Sequence, residues 1–236
     1  MDYGLLKVID GQHRLLGYSK TESSTQQEKR FMVVILENLL DSRKAKIFLD
    51  INSKSKTVDP SLQLLISHDV DWPTFKKTEQ KEKIVVGNIF KLIEDNTLSE
   101  EKIFLGHAGI EKKQKLTLRT AVTSIKKIKM GIKNEEASYI ELKNLIIKLK
   151  SSKNSEFYLS NIGFRIVAII ISRYKENKEL VKKIGLNDLI DRLDIIPKKE
   201  LTTVAYGEGG AGKRAKKLIA ILRTKFPEEF AVEGFE

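Results

Sequence analysis

The stretch LKVIDGQHRLLGY, residues 6–18, decides how the chain is read. Leu6, Val8 and Ile9 have the character of a strand end, and Asp10-Gly11 interrupts it. Leu15, Leu16 and Tyr18 then begin a helical spacing. A strand that passes through a glycine turn into a helix holds a small polar cluster in a fixed place. Here the cluster offers Asp10 as an acceptor, Gln12 as donor and acceptor, His13 as a group titrating near neutral pH, and Arg14 as a planar fork for phosphate. Two readings stand side by side. In one, Arg14 pairs with Asp10 and staples the turn. In the other, Arg14 and the helix start bind a phosphate while His13 serves as acid, base or ligand.

Asp10-Gly11-Gln12-His13-Arg14 is an intact DGQHR signature, and a second block follows it. Residues 47–56, IFLDINSKSK, read as a helix ending in F-x-x-I-N before a basic turn, and Val58 with Ser61-Leu62 fits the start of a further helix. On these two blocks, within residues 5–66, the chain resembles the DGQHR-domain family. That family includes the DndB-like proteins of DNA sulfur modification (phosphorothioation) and is related more distantly to the ParB/sulfiredoxin-like fold. The resemblance implies a small ParB-like αβ unit. It also implies a nucleoside triphosphate, with Mg2+, held at the turn by Gly11, Gln12 and Arg14. Asn52, Lys54 and Lys56 carry two readings of equal weight: ordinary capping of a helix end, or a second wall of the pocket in which Asn52 and Lys54 touch phosphate and Lys56 touches DNA.

Composition narrows the partners. The chain has 236 residues, 41% of them hydrophobic, which is enough for a sizeable core in one large domain or two small ones. It contains no cysteine, so disulfides, thiolate metal sites and thiol nucleophiles are excluded, and a cytoplasmic location is expected. The longest apolar run, Ile166 to Ile171, is far short of the roughly 20 residues that span a bilayer, so no membrane is expected. Net charge is +11, and it is patterned. Residues 111–155 hold twelve Lys/Arg against four Asp/Glu, and residues 211–225 hold six against none. Those two segments exceed the whole-chain surplus, so the remainder, signature included, is slightly acidic. A polyanion such as double-stranded DNA is the expected partner.

Along the chain, nine residues precede Asp10, enough for one strand, so the first sheet is expected to be incomplete or minimal. Residues 19–30 read as a polar loop and Phe31–Leu36 as a buried strand beside the first. Asp41-Ser42 opens one helix and Asp59-Pro60-Ser61 another, and a boundary falls near residues 70–80, where Trp72 is expected to pack. Helices follow along Val85, Ile89 and Leu92; along Leu118, Val122 and Ile125; and over 135–150, 159–174, 187–196 and 211–225. The helix at 159–174 is apolar nearly all round and so should be central. Arg119, Lys126 and Lys133, seven apart, are expected to line one DNA-facing stripe.

Residues 207–213, GEGGAGK, satisfy the spacing of a phosphate-binding loop, with strand-like Leu201–Ala205 before them. Arg214, however, stands where such a loop needs a magnesium-binding Ser or Thr. A milder role fits better: Lys213 and Arg214, at a basic glycine-rich helix start, holding a DNA backbone phosphate. DndB-like chains carry a similar glycine-rich segment near their C-terminus. His68 and His107 have no second ligand at metal spacing, and no metal site is expected.

These readings combine into an α+β chain: a DGQHR/ParB-like αβ unit over residues 1–75 and a helical domain with basic faces over 80–236. The expected function is that of a DNA-binding accessory or regulatory protein of a bacterial or phage DNA-modification system, in contact with other modification proteins. The alternative is an enzyme, a nucleoside triphosphatase or DNA nickase, with Asp10, His13 and Arg14 as its catalytic residues. Arg14→Ala separates pocket from staple. A pocket arginine should cost about 1.5–3 kcal/mol of nucleotide binding. A staple should lower the melting temperature and leave the affinity of the folded fraction unchanged.

Overall fold

The computed structural model describes residues 34–55, 60–69, 77–98 and 116–235, together with Leu16, Lys20 and the pair Ile103–Phe104. The DGQHR signature, Lys56, Trp72 and His107 lie outside the described residues, as do the side chains of Asn52 and Lys54. Within them the chain is mostly helical, as the periodicity downstream of residue 80 predicts. In order come α1 (Asp41–Ser55), α2 (Pro60–Asp69), α3 (Lys77–Glu94), β1 (Ile103–Phe104), β2 (Leu116–Thr117), α4 (Leu118–Ile128) and α5 (Glu136–Ser151). Then follow α6 (Ser155–Tyr158), α7 (Asn161–Glu176), α8 (Lys178–Lys183), α9 (Leu186–Asp194), α10 (Lys198–Tyr206), α11 (Ala211–Lys225) and α12 (Pro227–Phe230). Among the described residues the sheet is one parallel two-residue pair, Ile103 opposite Leu116 and Phe104 opposite Thr117.

Helix α7 is the centre. Phe164, Ile166, Val167, Ala168, Ile170, Ile171 and Tyr174 are all buried, and the two main neighbours of the helix are α4 and α11. From α4 come Leu118, Ala121, Val122, Ile125 and Ile128, and from α11 come Ala215, Leu218, Ile219 and Leu222. Helix α3 packs behind α4 through the stripe Val85, Ile89 and Leu92, and α2 lies against both α3 and α4.

The entry to α7 is set by a close approach. Ser160 Oγ accepts from Gly163 N at 3.1 Å and donates to the Phe157 carbonyl at 2.7 Å. A Cβ on residue 163 would stand 1.8 Å from that same carbonyl oxygen, so only glycine lets α6 turn directly into α7. Helix α4 is capped by Thr117, whose hydroxyl accepts from Thr120 N, and it ends where Lys129 adopts φ 57°.

Two local expectations are corrected. Val34, Ile35 and Leu36, expected within a buried strand, are non-helical chain outside any ladder among the described residues, and Val34 is 77% exposed. Apolar, β-branched composition made the run look like a strand, but a strand is stabilised by its neighbour. Leu201–Ala205, which read as strand-like, is instead the body of α10. Leu201, Val204 and Ala205 bury at i, i+3 and i+4, while Thr202 and Thr203 donate to the carbonyls of Lys198 and Lys199 four residues back. In addition the helix α1, expected to end at Asn52, continues through Ser55, which puts Lys54 in its last turn rather than in the basic turn beyond it.

Gly163→Ala should therefore be among the most destabilising single substitutions in the domain, costing at least about 3 kcal/mol in urea unfolding. Ser160→Ala, which removes the cap without a clash, should cost about 1 kcal/mol.

Candidate nucleic-acid interface

The two basic segments differ once side-chain geometry is considered. On α4, Arg119 and Lys126 stand two turns apart and converge on one carboxylate of α3. Lys126 Nζ lies 2.6 Å from Glu82 Oε1, and Arg119 Nη1 lies 3.6 Å from the same oxygen. Lys133 does not join them. The helix stops at Ile128, and Lys133 lies in the connection to α5, its ammonium 4.0 Å from Glu135. The expected stripe of three is thus two residues paired to Glu82 and a third beyond the helix end. A seven-residue spacing holds a face only while the helix lasts, and the left-handed Lys129 ends it.

On α11 the arrangement is the reverse. Arg214 folds back on the preceding turn and donates from Nε and Nη2 to the Gly207 carbonyl, at 3.2 and 2.9 Å. The Lys213 stem packs on Gly209, whose φ of 97° excludes most other residues: a Cβ there would lie 2.6 Å from Lys213 Cδ. Lys217 Nζ sits beside Gly207, 3.7 Å from where a Cβ would stand. Three cations therefore gather at the turn Gly207–Gly210, with Lys216 exposed one position away. No carboxylate stands within ion-pair distance of Lys213, Arg214, Lys216 or Lys217 among the described residues. Gly210 and Gly212 face open space, so a ligand can approach the backbone itself.

This geometry removes the phosphate-loop resemblance. A helix, not a strand, leads into the glycines, and Arg214 occupies the hydroxyl position while holding the turn shut. What remains is a rigid basic turn. Lys213 and Arg214 were legible from composition; Lys217 follows from its i,i+4 spacing to Lys213. Glu82 was missed, because nothing in the sequence links a residue of α3 to Arg119 and Lys126.

The other polar clusters are structural ties. Asp95, just past α3, accepts from Tyr139 Oη at 2.5 Å, Lys143 Nζ at 2.6 Å and Thr97 N at 3.0 Å, which fastens α5 to the end of α3. Burial pushes the Asp95 carboxyl up, but hydrogen bonds from Lys143, Thr97 and Tyr139 outweigh it and hold it well below the usual range. Burial, and then the bond to Asp95, push the Tyr139 hydroxyl up. Asp194 accepts from Ser152 Oγ, from Asn154 Nδ2 at 3.1 Å and from two backbone N–H groups, closing the link between α5 and α6. A cleft of about 470 Å³ beside α8 mixes Arg173 and Lys178 with Glu176, Glu179 and Glu233, so it favours neither sign of charge. His68 stacks on Phe90 at 4.9 Å, and no acidic or histidine group with metal-binding geometry occurs among the described residues. No helix among them is long and apolar enough to cross a membrane.

Compared with known proteins, the chain matches no family model, no curated protein and no solved structure.

The Asp95 tie has a pH signature. Its folded-state pKa lies below that of an ordinary aspartate, so its contribution to stability is present above the unfolded value and is lost as pH falls toward the folded one. Asp95→Asn should lower the melting temperature at neutral pH. The gap to the unmodified chain should then narrow as the pH drops below about 4.

Proposed function

We propose that the chain is a DNA-binding accessory or regulatory protein of a DNA-modification system, and that it grips the phosphate backbone with the turn at the start of α11. The observation that carries this reading is the contrast between the two basic segments. Arg119 and Lys126 share one carboxylate, Glu82, whereas Lys213, Arg214, Lys216 and Lys217 have no carboxylate within ion-pair distance among the described residues. An unneutralised cation cluster attracts a polyanion and releases its condensed counterions on contact. Arg214 is already bonded to Gly207, so its role is to fix the turn and add charge, while the lysines make the phosphate contacts. Glycines 210 and 212 leave space for the backbone to come close.

The modification pathway is a proposal of a different kind. It rests on the resemblance of the DGQHR and F-x-x-I-N blocks alone, as does the proposed nucleotide pocket of Gly11, Gln12 and Arg14 with Asn52 and Lys54 as its second wall. The enzymatic alternative rests on the same turn. Lys56 and Lys133 are secondary DNA contacts in this reading.

Binding of a labelled DNA duplex should weaken steeply as salt rises, with each phosphate contact adding about −0.9 to the slope of log K against log salt. Lys213→Glu with Lys217→Glu should cut affinity for all sequences alike and reduce the slope by about 2. Arg119→Glu with Lys126→Glu should act mainly on stability, through repelled helices rather than lost phosphates. If the α11 pair binds duplex as the unmodified chain does, the turn is only a solvated surface.

A further inference from the structure

Tyr206 is 74% exposed and is the last residue of α10, immediately before the turn on which the cations gather. A single exposed aromatic is ordinary on a protein surface. Its setting here is not. The next residue, Gly207, takes Arg214 on its carbonyl and has the Lys217 ammonium beside it, and Lys213 packs on Gly209 two positions further on. Tyr206 therefore adjoins a turn at which Lys213, Arg214 and Lys217 gather, with no carboxylate, the exposed Glu208 of the turn included, within ion-pair distance of them among the described residues. Its backbone is also held, since the turn is locked by Arg214 and α10 is buried through Leu201, Val204 and Ala205. An exposed aromatic ring on a held backbone, beside a cluster of cations, is the combination by which proteins hold unpaired bases: the cations track the backbone, and the ring offers a face on which any base can stack.

We infer that this surface prefers single-stranded or locally unpaired nucleic acid, with Tyr206 stacking on an exposed base while Lys213, Lys216 and Lys217 hold the flanking phosphates. In a closed duplex both faces of every internal base are occupied by its neighbours, so the ring gains nothing there and only the charges act. The inference deepens the DNA-backbone reading and rests on it. It adds the physical state of the strand that the same surface selects.

The test uses the full chain and two fluorescein-labelled probes of equal length, an oligothymidylate and a mixed-sequence duplex, titrated by anisotropy at fixed salt. Tyr206→Ala should weaken oligothymidylate binding by about 5- to 150-fold, the usual worth of one stacked base, and leave duplex binding within about twofold. Tyr206→Phe should retain the single-strand affinity, because it keeps the ring. Both variants should melt with the unmodified chain, since the side chain is exposed. Equal losses on the two probes, or no loss on either, would overturn the stacking role. If the unmodified chain binds duplex and only the Tyr206 effect is missing, this inference fails alone. If it binds neither probe, the backbone reading fails with it.

Discussion

The described fold depends on the burial of α7 on more than one side. A helix that is apolar around most of its circumference is unstable in water by itself and has to be covered, and here α4 and α11 cover it. That requirement sets the order of the rest. Helix α3 is placed by α4, α2 by α3 and α4, and α10 and α12 by α11. The same helix needs a sharp entry, since α6 runs into it within two residues, and Gly163 beneath the Phe157 carbonyl is what permits that approach. One missing Cβ thus positions the helix on which the two basic segments are mounted.

Those segments sit on the two main partners of α7, so a shared scaffold presents both, yet they are chemically unlike. Helix α4 turns Arg119 and Lys126 toward α3, where Glu82 receives both. Their charge works inward, tying helices. Helix α11 has its apolar face against α7 and four of its six cations in its first two turns, where Gly207 offers its carbonyl to Arg214 and Gly210 and Gly212 leave space. Formal charge along the chain does not separate these cases. Both segments are surplus in lysine and arginine, and only packing decides which surplus reaches solvent.

Much of the helical body was legible because its periodicity is strong. The stripe Val85, Ile89, Leu92, the stripe Leu118, Val122, Ile125, and the nearly all-apolar 159–174 segment each specify a buried face, and each is found buried. The failures were local and have physical causes. Val34–Leu36 has strand composition, but composition cannot supply a pairing partner. Leu201–Ala205 has β-branched residues, but its apolar positions fall at helical spacing, and its threonines are satisfied by carbonyls four residues back. The two-residue pairing of β1 with β2 is too short to leave any pattern. At the candidate interface, Lys213 and Arg214 could be read from the chain, whereas the pairing of Glu82 with Arg119 and Lys126 required α3 to be set beside α4.

The locking of the glycine turn by Arg214 carries a thermodynamic consequence. The turn keeps its shape only while α10 and α11 are packed, since the guanidinium reaches from one side of it to the carbonyl on the other. The unfolded chain has the same lysines but not their arrangement. A ligand that engages that arrangement binds the native state in preference to the denatured one and stabilises it by mass action. For such a ligand, folding and recognition would be a single linked equilibrium, and the temperature at which the helical body comes apart would rise with the free ligand concentration.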